Sequence, residues 1–131
     1  MSNASESPEV VAAREAAVSR MFKVRRDYGG IFWCGSFPTG YRNGLKEAMI
    51  ATEPRPLEFE IVRFNPDTEG GVDLMRSNYH RYSVVYTCDD ERCFYRAWFS
   101  DEAISDHATE SEAIAACEVH NLVKHYEGIA V

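Results

Sequence analysis

Residues 82–99 read Tyr82-Ser83-Val84-Val85-Tyr86-Thr87-Cys88-Asp89-Asp90-Glu91-Arg92-Cys93-Phe94-Tyr95-Arg96-Ala97-Trp98-Phe99, and this stretch decides the fold. Two runs rich in aromatic and β-branched side chains, Tyr79 to Cys88 and Cys93 to Phe99, flank four charged residues, which predicts a β-hairpin. With Asp89 to Arg92 as the connection, Cys88 lies opposite Cys93, Tyr86 opposite Tyr95, Val84 opposite Ala97 and Tyr82 opposite Phe99. These residues share one face, and their character makes it the expected core. The other face pairs Thr87 with Phe94, Val85 with Arg96 and Ser83 with Trp98. Phe94, Arg96 and Trp98 are the residue types that dominate interface hot spots, so this face is a candidate recognition surface unless the N-terminal helix covers it.

Upstream, Leu57 to Phe64 alternates with the period of a strand, placing Leu57, Phe59 and Ile61 inward. Asn65 to Asn78 carries no clear pattern and reads as a long mobile or functional connection. Ser7-Pro8-Glu9 gives a cap, a first-turn proline and a first-turn acid. The stripe Val10, Ala13, Ala17, Met21, Val24 then predicts a helix to about Arg25, stopped by Gly29-Gly30. Ile31 to Phe37 reads as a short buried strand, Pro38 to Gly44 as turns, and Leu45 to Thr52 as a helix ending before Pro54. Downstream, Thr109 with Glu112 forms a capping box that opens a helix to about Tyr126, closed by Gly128. The expected fold is α+β. An antiparallel sheet of three to four strands carries the C-terminal helix on the face of Phe59, Ile61, Val84, Tyr86, Ala97 and Phe99, with the N-terminal helix elsewhere. Residues 1–7 are expected as a flexible tail and 8–131 as one domain. Centring the last helix on Val119 turns Ala115, Ala116, Leu122, Val123 and Tyr126 to the core and leaves Ala113, Ile114 and Cys117 as a second apolar patch.

The chain has 131 residues, 14 Lys plus Arg against 21 Asp plus Glu, and 45% hydrophobic residues. That composition excludes a wholly disordered chain. No apolar run reaches the ~18 residues of a membrane span, and Met1 to Ala12 lacks the pattern of a signal peptide, so cytoplasmic residence and free cysteine thiols are expected. Charge is uneven. Residues 1–56 hold 8 basic and 6 acidic side chains, whereas residues 57–131 hold 6 basic and 15 acidic ones. Phosphate backbones are bound through cations, so this acidity argues against nucleic acid and for a basic protein partner.

Several patterns touch on chemistry. Cys88 and Cys93 with Cys117 and His120 resemble a zinc knuckle in spacing, although Cys117 and His120 sit on different sides of the expected helix. Cys34-Gly35-Ser36 beside Trp33 resembles the motif of papain-like cysteine proteases, but Phe37 stands where that family has its nucleophile. A Cys34 nucleophile with His80 or His107 as base is the alternative enzymatic reading. Gly35 and Gly40 have P-loop spacing without the lysine that contacts phosphate. Asp67, Glu69 and Asp73 do not follow EF-hand spacing. Arg92 to Phe99 resembles the aromatic strand of RNA-recognition modules without its glycines. The element order over 45–126 resembles the double-stranded RNA-binding domain, but Glu110 and Glu112 occupy the helix start that is lysine-rich in that family. Arg20, Lys23, Arg25 and Arg26 form the one basic cluster, and a structural-zinc or nucleic-acid-associated domain using Cys88, Cys93, Cys117 and His120 or this cluster is a further alternative reading.

The function expected from these readings is a non-catalytic protein-interaction module, an adaptor or inhibitor, without cofactor or metal. It would dock a basic partner through Phe94, Arg96, Trp98, Asp101, Glu102, Asp106, Glu110, Ile114 and Cys117. A homodimer is compatible with this reading, and membrane association is not expected.

Overall fold

The computed structural model describes residues 4–28, 37–68, 71–78 and 81–129. A short 3-10 turn at Ala4–Glu6 leads into helix α1 (Pro8–Tyr28) and helix α2 (Phe37–Ala51). Strands β1 (Phe59–Phe64), β2 (Val72–Ser77), β3 (Tyr82–Cys88), β4 (Cys93–Phe99) and β5 (Glu102–His107) follow, and helix α3 (Glu110–Glu127) closes the chain. The fold is α+β. Two compact units form, Met1–Arg55 with Asn121–Val131, and Pro56–His120.

The second unit is built on a five-stranded antiparallel meander in the order β1-β2-β3-β4-β5. Its centre is the β3–β4 hairpin, whose register from Tyr82↔Phe99 to Cys88↔Cys93 is the one the sequence predicts. Asp89 closes the connection: its amide donates to the Arg92 carbonyl at 2.9 Å, and its Oδ1 accepts from the Glu91 and Arg92 amides at 2.9 and 2.8 Å. Val72, Tyr82, Val84, Tyr95, Ala97, Ala113 and Cys117 are buried together, with Leu57, Phe59, Met75, Tyr86, Phe99, Ile104 and Ile114 packed around them.

Four expectations are corrected here. The sheet has five strands instead of three or four, because β2 lies inside the supposedly unpatterned 65–78 stretch and β5 follows β4 directly. Their compositions, Val-Asp-Leu-Met-Arg-Ser and Glu-Ala-Ile-Ser-Asp-His, carry little strand signal, and pairing with neighbours defines them. The likeness to the double-stranded RNA-binding order therefore does not hold across the sheet. Ile61 is exposed although it keeps the face of Phe59, because β1 is a terminal strand of the described sheet and the buried cluster reaches no further along it than Phe59. In α3 the sheet-facing residues are Ala113 and Cys117, with Ile114 beside them, and not the Val119-centred stripe. The strand expected over Ile31–Phe37 lies outside the described residues, apart from Phe37, which opens α2; the helix continues through the residues expected as turns.

In the first unit, Val10, Ala17 and Val18 of α1, Met49 of α2, and Leu122 and Tyr126 of α3 are buried. Of the expected caps, Thr109 Oγ1 accepts from the Glu112 amide at 3.2 Å and the Gly128 amide donates to the Lys124 carbonyl at 2.9 Å, while Ser7 takes the cap position with its carbonyl accepting from the Val11 amide at 2.9 Å and its hydroxyl donating to the Glu9 carboxylate.

Two turn positions set the geometry of the sheet. Gly71, at φ 75°, ends the β1–β2 connection, where the Asn65 amide donates to its carbonyl at 2.9 Å and a β-carbon would collide with the Phe64 ring. Ser100, at φ 53°, occupies the two-residue β4–β5 turn, in a region that costs a side-chain-bearing residue energy. Gly71→Ala is therefore expected to destabilise the second unit by about 1–3 kcal/mol, whereas Ser100→Gly should leave stability unchanged or raise it by up to about 1 kcal/mol. Urea titrations of both variants against the parent check the pair of signs.

Candidate functional site

Among the described residues, the meander of five strands leaves β1 and β5 with an unpaired backbone edge, and both carry side chains of interest. At one end, β1 is exposed along almost its whole length. Ile61, Val62 and Phe64 retain 47, 49 and 67% of their accessible surface. Glu58 and Glu60 on the same segment are exposed, and Arg63 is ion-paired with Asp73 of β2. Three large apolar side chains on one terminal strand make a concentrated apolar surface, while single exposed residues of this kind are ordinary.

At the other end, β5 pairs with β4 from Tyr95↔His107 to Phe99↔Glu102, with a register shift at Ala97/Trp98 that leaves Ile104 as the extra residue. Ile104 packs on the core in consequence. A bulge and acidic side chains on a terminal strand are devices that discourage strand addition. Asp101, Glu102 and Asp106 are exposed, and Glu110 is half-buried.

The residues singled out from sequence do not form one surface. Phe94 is buried, with the Arg92 and Arg96 guanidinium carbons 5.0 and 5.1 Å from its ring centre. Arg96 in turn donates to both carboxylate oxygens of Asp106, at 2.7 and 3.2 Å, and this pairing holds the Asp106 carboxyl below its usual range. Arg92, Phe94, Arg96 and Asp106 thus form a stack across β4 and β5 in which each charge already has a partner. Trp98 is half-buried opposite Ser83. Ile114 and Cys117 belong to the core and are withdrawn from the docking surface. Asp101, Glu102 and Glu110 remain as solvent-facing acids.

The chemistry-bearing groupings are also redistributed. Cys88 and Cys93 form a disulfide, which corrects the expectation of free thiols. Burial, with the Glu118 charge adding, pushes the Cys117 thiol up to about 12, so it is protonated at neutral pH and inert. His120 faces the core through Nδ1, 2.8 Å from the Tyr82 hydroxyl, with its ring against Phe99. The four knuckle-spaced residues are therefore committed elsewhere, and among the described residues no group of three or more His, Cys, Asp or Glu is placed to hold a metal. Cys34 and His80 lie outside the described residues. His107 meets Ser105 Oγ through Nε2 at 2.6 Å, and its Nδ1 lies 4.0 Å from the Glu112 carboxylate. The second distance is too long for the hydrogen bond that would fix an imidazole for catalysis, and Glu112 is largely in solvent. Of the basic cluster, Arg20 donates to the Tyr126 and Ile129 carbonyls at 2.8 and 3.3 Å and so caps α3; the side chains of Lys23, Arg25 and Arg26 lie outside the described set.

One polar cluster in the first unit left no signal in the sequence, because its members are far apart in the chain. Arg14 is buried. Its Nη2 donates to the Ser5 carbonyl at 2.7 Å, to Ser5 Oγ at 2.7 Å and to Glu53 Oε1 at 3.0 Å, and its Nε donates to the Tyr126 hydroxyl at 3.2 Å. Tyr126 also donates to Glu53. Burial opposes ionisation of Glu53, but hydrogen bonds from Tyr126, Ser5 and Arg14 outweigh it and hold its carboxyl below the ordinary value. Burial and the bond to Glu53 push the Tyr126 hydroxyl up. These mutual hydrogen bonds make the cluster a clamp within the first unit.

No family model, curated protein or solved structure matches the chain.

The clamp gives a signed expectation. A carboxyl depressed in the folded state contributes stability that is present above its unfolded pKa and lost as pH falls through the folded one. The first unit should thus lose stability on acidification below about pH 4.5, and Glu53→Gln should flatten that dependence. Arg14→Met, which strands the Glu53 charge, should cost about 3 kcal/mol at neutral pH. Thermal melts across pH 3–7 for parent and variants check both.

Proposed function

We propose that this protein is a non-catalytic protein-interaction module, an adaptor or inhibitor, that engages a basic partner through the acidic second unit. The observation that carries the reading is the β1 edge, where Ile61, Val62 and Phe64 project into solvent beside Glu58 and Glu60. An apolar centre with a charged margin is the anatomy of a protein-docking surface. The sign of the partner follows from charge. Residues 56–120 hold 5 basic and 14 acidic side chains, while the rest of the chain holds 9 basic and 7 acidic ones. A field of that sign accelerates encounter with cationic surfaces and penalises anionic ones.

Asp101, Glu102 and Glu110 enter this reading as steering charge and not as contact residues. β5 lies about 19 Å across the sheet from β1, at ~4.8 Å per strand, and is separated from it by more than a screening length. Their loss should slow association without loosening the bound complex, whereas loss of the β1 side chains should raise the dissociation rate.

The test is affinity capture with cross-linking from the cells that make the protein, using the parent, an Ile61→Asp/Phe64→Asp variant and a Glu102→Gln/Glu110→Gln variant. Captured partners should be cross-linked to residues 58–64 through Lys/Arg-rich segments, should fall away as ionic strength rises, and should be absent with the β1 variant. An unchanged set of partners with that variant, or contact segments that are acidic, would defeat the reading. All substituted side chains are solvent-facing or half-buried, so circular dichroism of the variants should match the parent.

A further inference from the structure

The Cys88–Cys93 disulfide bridges the β3–β4 hairpin at its turn end, and both cysteines are exposed. Its loop does not depend on it. Asp89 ties the connection through its own amide and through Oδ1 to the Glu91 and Arg92 amides, and the ladder next to it is buttressed by Tyr86 and Tyr95, whose rings lie 5.2 Å apart. The disulfide can therefore open without dismantling the hairpin, and a thiol from solution can reach it. Between the two sulfurs the loop carries Asp89, Asp90 and Glu91 against Arg92 alone, and the Arg92 guanidinium is turned onto the Phe94 ring.

We propose that Cys88–Cys93 is a thiol–disulfide exchange site that takes neutral or positively charged thiols and disfavours anionic ones. The attacking thiolate forms a bond to one cysteine sulfur. The S–S bond breaks with its electron pair on the other sulfur, which takes up a proton, leaving a mixed disulfide. A second thiolate then bonds to the sulfur of the first, and the mixed disulfide breaks with its electron pair on the protein's cysteine sulfur, which takes up a proton as the small disulfide leaves. The net change oxidises two small thiols to their disulfide and reduces Cys88 and Cys93 to thiols, a two-electron exchange, and the reverse reaction with a small disulfide restores the bridge. Exposure makes such a bridge labile where a buried one is inert, and the acidic loop sets the charge preference of the incoming thiolate.

The experiment uses the full-length oxidised protein with cysteamine, 2-mercaptoethanol and glutathione, which carry increasing negative charge in that order. Opening is followed by alkylation and mass spectrometry at Cys88 and Cys93. After correction for the thiolate fraction of each reagent, cysteamine should react about tenfold faster than glutathione at low ionic strength, and the gap should narrow in salt. An Asp90→Asn/Glu91→Gln variant, which keeps the Asp89 cap, should narrow it as well. Circular dichroism and the urea midpoint of the reduced protein should show the second unit still folded. The proposal is overturned if the three rates are equal and salt-independent, if the bridge opens only under denaturing conditions, or if reduction unfolds the second unit. A Cys88→Ser/Cys93→Ser variant that folds but shows no thiol-dependent mass change assigns the signal to this pair; if that variant still gains the thiol adduct, the assignment fails.

Discussion

The closeness with which α3 must approach two buried tyrosines governs the second unit. Tyr82 and Tyr95 fill the inner face of the central hairpin together with Val84 and Ala97, so a helix can lie there only where its own side chains are small. Ala113 and Cys117, one turn apart, supply that surface, and Ile114 fills the side. The same contact engages both Cys117 and His120. The thiol is held protonated by burial, and the imidazole is held to Tyr82, whose own hydroxyl is pushed upward chiefly by burial. Larger residues at 113 or 117 would have to displace a tyrosine, and overpacking of that kind is costly.

What could be read from the sequence, and what could not, divides along physical lines. The β3–β4 register was legible because a short polar connection between two β-rich runs fixes every opposite pair at once, including Cys88 with Cys93. Helix caps were legible because they are local: Ser7, Thr109 and Gly128 act within a turn of their own positions. The buried face of α3 was ambiguous for a specific reason. Ala113 and Cys117 lie roughly 180° around the helix from Leu122 and Tyr126 at ~100° per residue, and both pairs are buried, each within its own unit. A periodicity argument assumes one buried stripe per helix and so selects one pair and exposes the other. Strands β2 and β5 were illegible because their polar residues are tolerated by pairing alone. The bulge in β5 then shifts the alternation there and packs Ile104 partly onto the core, while Ile61 keeps the face of Phe59 and is exposed on its terminal strand.

Long-range polar contacts left no sequence trace at all. Arg14, Glu53, Tyr126 and Ser5 come from four separate segments, and nothing in the neighbourhood of any one of them announces the others. The cluster nevertheless imposes a strict requirement on the first unit, because a buried guanidinium is tolerated only when its donors are met. Two members of the expected docking set show the opposite case. Phe94 and Arg96 have the residue types of a binding hot spot, but the fold consumes them internally: the ring lies between Arg92 and Arg96, and Arg96 is held by Asp106. Residue type marks an interface only after intramolecular partners have been counted.

The two edges of the sheet are therefore not equivalent. β5 combines a bulge, acidic side chains and an internally satisfied ion pair, so adding another strand there would bring carboxylates into contact and disturb Arg96. β1 is also irregular, but it keeps apolar side chains outside, where the usual protective effect of a bulge is not accompanied by polar cover. A chain that protects one edge and leaves three large hydrophobic residues on the other accepts an aggregation hazard at the second. The surrounding negative charge offsets that hazard by repelling other copies of the same unit. In the function proposed above, apolar exposure and acidity act together at β1, one supplying contact area and the other selecting what reaches it.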